Sequence, residues 1–100
     1  MTTVQIKAAY EEIEDDDYGF EYIEEKDRLH PFRDICGMIY LYKLSGKRGV
    51  KGGNIISCAS HGQIWYSFDN FKTITKTDVI YLNHCGIFWD DDNESFYSFV

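Results

Sequence analysis

Six carboxylates fall within seven positions near the start of this chain, Glu11, Glu12, Glu14, Asp15, Asp16 and Asp17. On a helix, Glu11 with Asp15 and Glu12 with Asp16 are like-charge neighbours that each cost a few tenths of a kcal/mol. On an extended chain, Glu12, Glu14 and Asp16 share one face about 6–7 Å apart. Either geometry makes a row of anionic groups that could imitate a phosphate backbone, or pair with a basic groove on another protein and gain association rate from long-range steering. The plainer reading is a solvated face that keeps the protein soluble. A second cluster, Asp90, Asp91, Asp92 and Glu94, adjoins Trp89 and precedes Phe96, Tyr97 and Phe99. Rings can supply a desolvated anchor and carboxylates a charged rim, which is how a contact with a positively charged partner is built. Asp90-x-Asp92-x-Glu94 also has the opening rhythm of a calcium loop, but Ser95 stands where that loop needs glycine. A polar hairpin turn explains the same string more simply.

Cys58, His61, His84 and Cys85 could hold zinc, since Cys58-x-x-His61 has plausible ligand spacing. His84 and Cys85 are adjacent, and on a strand they would point to opposite faces unless Gly86 allows a bulge. Any of Cys36, Cys58 and Cys85 could also act as a nucleophile activated by His30, His61 or His84. No nucleophile elbow, HExxH or glycine-rich dinucleotide loop accompanies them. A thiol or zinc enzyme using Cys58, His61 and His84 therefore stands as the alternative, beside buried cysteines and surface histidines. The basic string Lys43, Lys47, Arg48 and Lys51, set among glycines, could touch phosphates or an acidic end of a second copy. It lacks the P-loop pattern. The acids on either side oppose direct nucleic-acid binding, and a solvated hairpin tip is its plainer reading.

The elements that must position these groups are short. Thr3 to Ile13 carries both an alternation of Val4, Ile6, Ala8 and Tyr10 and a helical recurrence of Ile6, Ala9, Tyr10 and Ile13. The good helix formers and the capping-box spacing of Thr2 with Gln5 predict a helix. Phe20 to Glu24 reads as a short strand, and Lys26 to Asp34, with Pro31, as an irregular crossing. Six further runs read as strands: Met38 to Leu44, Asn54 to Ala59, Gln63 to Phe68, Val79 to His84, Gly86 to Trp89 and Ser95 to Val100. Ser60-His61-Gly62 suits a tight hairpin turn, and Asp69 could cap one helical turn through Phe71 and Ile74. The expected fold is α+β and mainly antiparallel β, a small strongly curved sheet or open barrel with one N-terminal helix.

One hundred residues predict a single domain spanning residues 1–100. The 17% aromatic content supplies the apolar surface that so short a chain needs to fold. No basic region leads into an apolar stretch, and the longest apolar run, Met38 to Tyr42, is too short for a bilayer, so no membrane contact is expected. Three cysteines without a disulfide-like spacing fit a reduced, cytoplasmic setting. No cofactor is implied.

Charge is segregated. Residues 1–34 carry eleven acids and four bases, residues 35–77 six bases and the single acid Asp69, and residues 78–100 five acids and no base. In size and acidity the chain is similar to small inhibitors of the toxin-immunity and phage anti-defence type, a similarity of composition. The segregation of acids into two blocks, one adjoining aromatic residues, points to a non-catalytic inhibitor or adaptor that binds a basic, nucleic-acid-binding surface of a larger protein. The two acidic clusters would present the negative field, with Trp89, Tyr18 and Trp65 as anchors. Homo-oligomers are compatible with this reading.

Overall fold

Thr2 opens the first helix as its spacing predicts. Its hydroxyl accepts from the Gln5 amide at 3.2 Å, and the Gln5 side chain accepts from the Thr2 amide at 2.8 Å. Both would otherwise be orphan donors at a helix start. The structure, a computed structural model, describes residues 1–13, 19–45, 53–68 and 71–99. Within them lie helices α1 (Thr3–Glu11), α2 (Arg33–Leu44) and α3 (Lys76–His84), and strands β1 (Ile56–Ser60), β2 (Gln63–Tyr66), β3 (Phe88–Asp90) and β4 (Ser95–Phe99).

The architecture is α+β with an N-terminal helix and an antiparallel sheet in the order β1-β2-β4-β3, which among the described residues is open at both edges and not closed into a barrel. Because β4 pairs antiparallel with both β2 and β3, the latter two run in the same direction, and α3 is the crossover between them.

Two of the six expected strands are helices. Met38 to Leu44 lies in α2, where Cys36, Gly37, Tyr40, Leu41 and Leu44 recur at helical spacing, with Cys36, Gly37 and Leu41 buried. Val79 to His84 lies in α3, which Thr75 and Asp78 cap reciprocally as Thr2 and Gln5 cap α1. A short apolar run does not distinguish a buried strand from a buried helix, and here the helix won in both places. Phe20 to Glu24 also departs from the expected strand, with a 3₁₀ turn over Phe20–Tyr22. Asp69 lies outside the described residues, although the Ile74 amide does close a turn on the Phe71 carbonyl.

Phe96 is the centre of the core. It is fully buried on β4 and meets the rings of Trp89, Phe68, Phe71 and Tyr10 at centroid distances of 5.2, 5.7, 6.0 and 6.4 Å. Ile6 and Ala9 from α1, Leu41 from α2, Val79 and Leu82 from α3, and Tyr66, Ile74 and Ile87 complete the buried part of this cluster. A second group joins Ile23, Cys36 and Cys85. There Gly37 is needed, since a Cβ on it would stand 2.8 Å from both the Cys85 Cβ and the Ile87 Cδ1. Beside that group Tyr40 and Tyr81 stack at 3.9 Å, Tyr40 donates to Asp78 at 2.6 Å, and Tyr81 donates to the Asp27 carbonyl at 2.8 Å. No helix among the described residues is long and apolar enough to cross a membrane.

Candidate functional site

The alternation of side chains along the strands divides the sheet into two faces. Tyr66, Phe96 and Ser98 point inward and are buried, and the Tyr66 and Ser98 hydroxyls are 2.9 Å apart. The opposite face carries Trp65, Phe88, Tyr97 and Phe99, none of which belongs to either core cluster. Register brings them together, because Tyr97 pairs with Trp65 on one side and Phe88 on the other. Phe88, Tyr97 and Phe99 are in mutual ring contact at 5.5–6.1 Å, and Phe99 is 62% exposed. The outer face is thus an aromatic surface about one strand repeat long.

The acidic hairpin closes one end of it. Asp90 points outward and accepts four hydrogen bonds: from Trp65 Nε1 at 2.8 Å, from the Asn93 side chain at 2.7 Å, and from the Asp92 and Asn93 amides at 3.1 and 3.4 Å. These donors, the Asn93 side chain first and the Trp65 indole next, hold its carboxyl below the usual carboxylate range. Tyr97 is shifted the other way, its phenol held above the usual range by burial and then by the nearby Asp90 charge. Glu94 completes the turn in a left-handed conformation, φ 46°. Gln63, Trp89, Tyr97 and Asp90 to Asp92 line a shallow open cleft of about 260 Å³.

Not all of the expected contact residues are available for a partner. The Trp89 ring turns inward and meets Phe71 at 5.4 Å and Phe96 edge-on, so it is chiefly a core residue rather than the expected anchor. Asp90 is committed to the turn. Asp91 pairs with Lys7 at 3.1 Å, and Glu12 pairs with Lys76. Glu11, Asp92 and Glu94 are exposed and make no ion pair with a described residue. Lys7 of α1 meets the hairpin at Asp91, and its amine is held above its usual range by Asp91 first, with smaller contributions from Glu11 and Asp92. Glu14, Asp15, Asp16, Asp17 and Tyr18 lie outside the described residues, as do Lys47, Arg48 and Lys51 of the basic string. Trp65 sits on the outer face, where its indole donates to Asp90.

The metal and thiol residues are dispersed. Cys58 is exposed on β1 and His61 occupies the β1–β2 turn. His84 ends α3 and stacks on Tyr22 at 5.5 Å, while Cys85 is buried. Among the described residues no three His, Cys, Asp or Glu side chains are placed to hold one ion. Burial pushes the Cys85 thiol well up, which suppresses the reactive thiolate. Phe88 lies outside the expected contact residues, and Tyr97 and Phe99 enter only as neighbours of the acidic cluster, although Phe88-x-Asp90 and Ser95-x-Tyr97-x-Phe99 carry the period-two signal that places them on one face.

Asp90 makes a testable contribution to stability. Its carboxyl is depressed in the folded state, so the stabilisation is full above the unfolded value near pH 4 and is lost as pH falls through the folded value. Asp90→Asn is therefore expected to melt below the wild type at neutral pH. The gap should close as pH drops below about 4 in thermal melts followed by circular dichroism. A gap independent of pH would mean that the charge of Asp90 is immaterial. No family model, no curated protein and no solved structure matches the chain.

Proposed function

We propose that this protein is a non-catalytic inhibitor or adaptor that docks the outer face of its sheet on a basic, nucleic-acid-binding surface of a larger protein. The observation that carries the reading is the set of rings Trp65, Phe88, Tyr97 and Phe99 standing outside both cores, with an acidic hairpin at its end. A stable fold gains little from leaving such rings half-exposed, whereas each could remove about 150–250 Å² from water in a contact. The carboxylates of Asp92, Glu94 and Glu11, which make no ion pair with a described residue, would supply the charged rim. Rim charges act mainly on encounter rate and its salt dependence. Lys7 and Lys76 offset part of the acidic field, so the reading leans on the rings for affinity and on the carboxylates for steering. It also accords with the net charge of −7.

The test starts from a basic nucleic-acid-handling protein recovered with this chain from its host. Association is measured by surface plasmon resonance from about 50 to about 500 mM salt, where screening shortens from roughly 14 to 4 Å. The association rate is expected to fall about tenfold across that range, and less steeply for the triple variant Asp92→Asn, Glu94→Gln, Glu11→Gln. Duplex DNA is expected to compete for the partner. A rate indifferent to both salt and the triple variant would remove the electrostatic half of this reading.

A further inference from the structure

We infer that the free edge of β1 is a self-association surface, on which a second copy of this chain pairs antiparallel about a two-fold axis at Ala59. The two edges of the sheet are unlike. At the β3 edge the strand is three residues long and ends in the acidic hairpin, whose Asp91 is tied to Lys7 of α1. At the β1 edge all five residues, Ile56–Ser60, are exposed, and no described strand pairs with its outer side. Edge strands are ordinarily blunted by lysine, proline, inward charge or a bulge. From Gly53 to Phe68 the chain has no lysine, arginine, acid or proline, and one irregularity, between Ile56 and Cys58, leaves Cys58 to Ser60 regular.

The turn fixes which backbone groups are free. His61 and Gly62 both have positive φ, 52° and 78°, and form a two-residue turn between paired Ser60 and Gln63. In such hairpins the flanking pair exchanges hydrogen bonds, and pairs then alternate between bonded and non-bonded. Ser60 and Cys58 therefore bond to β2, while the Ala59 N–H and C=O point to the open side. Ala59 of each copy can donate to and accept from Ala59 of the other.

Charge disfavours self-contact through the acidic surfaces and leaves this uncharged edge for it. A chain of net charge −7 repels its own copy wherever acids face each other. Pairing at β1 brings together Ile56–Ser60, which carry no charged side chain, and sets the two acidic hairpins toward the far ends of a continuous sheet. About six strand spacings of roughly 4.8 Å put them about 29 Å apart across the sheet, several Debye lengths at physiological salt. The two-fold also leaves both aromatic faces on the same side. A five-residue edge lies below the size of a permanent interface, so the dimer is concentration-dependent.

Sedimentation equilibrium tests this from about 10 μM to about 1 mM, the range in which weak contacts saturate. The mean mass should rise from 11.7 kDa toward twice that value. Ala59→Pro removes the outward N–H without touching a bond to β2 and should stay monomeric with an unchanged circular dichroism spectrum. If that variant unfolds, Cys58→Lys, which adds like charge at the seam, should stay monomeric instead. Cys58 is the exposed cysteine, Cys36 and Cys85 being buried, so a short bis-maleimide should join two copies through it. Wild-type protein monomeric at about 1 mM, or a dimer that survives whichever of these variants is folded, overturns the inference.

Discussion

Phe96→Ala is expected to cost about 3–5 kcal/mol of folding stability, a large share of the 5–15 kcal/mol a domain of this size commands. The side chain is fully buried at mid-sheet, on a strand hydrogen-bonded on both sides, and four aromatic rings converge on it. Their origins explain the size of the effect. Tyr10 comes from α1, Phe68 and Phe71 flank the passage from β2 to α3, and Trp89 is its partner on β3. A cavity at Phe96 thus removes contacts from the helical layer and the sheet together, and Tyr10 is further held by donating to the Ile87 carbonyl at 2.9 Å. At about 4–8 °C per kcal/mol, the melting midpoint should fall by at least 12 °C or so. Phe96→Leu, which keeps much of the volume, should lose less than half as much. Urea unfolding followed by tryptophan fluorescence checks both, and a loss below about 1 kcal/mol for the alanine variant would show that another residue centres this core.

Replacing Tyr97 and Phe99 together by alanine is expected to leave stability within about 1 kcal/mol but to weaken partner binding about 30- to 1,000-fold, the range set by 2–4 kcal/mol at an interface hot spot. The contrast with Phe96 is a matter of one residue's offset along β4. Phe96 and Ser98 face the helices, while Tyr97 and Phe99 face away from them. Both outward rings keep solvent contact in the free protein, so their removal forfeits little burial on folding and much on docking. Calorimetric titration of the variant against the partner, beside its thermal melt, separates the two. Binding that survives this change but responds to salt and to Asp92→Asn would assign the contact to the acidic hairpin alone. Binding indifferent to all of these would release the outer face from any role in recognition.

The carboxylates divide by what surrounds them rather than by where they fall in the chain. Asp90, in the middle of the second acidic string, is the least free, because one indole, one side-chain amide and two backbone amides converge on it. Its neighbour Asp91 is spent on Lys7, from a helix 84 positions earlier. Only Asp92 and Glu94 of that string remain available, without an ion pair to any described residue. A uniform acidic string therefore holds a turn-former, an ion-pair partner and two solvent-facing charges.

Local chemistry explains what was legible in the sequence. The capping box of Thr2 and Gln5 starts α1, His61-Gly62 turns the first hairpin, and the polar string 91–94 turns the second, since each depends on residues within a few positions of one another. The α+β class and the open antiparallel sheet follow from such signals. The helical state of Met38 to Leu44 and of Val79 to His84 did not, because both runs are apolar enough to serve either period, and the Thr75–Asp78 capping box marks only one of the two starts. What tertiary structure alone decided was the fate of individual side chains: Trp89 inward against Phe96, Trp65 outward to Asp90, Asp91 neutralised, and the zinc ligands apart. Those outcomes depend on which strands become neighbours, and β4 lies between β2 and β3 through pairings that join residues about 30 positions apart as well as nearby ones, which no window of neighbouring residues encodes.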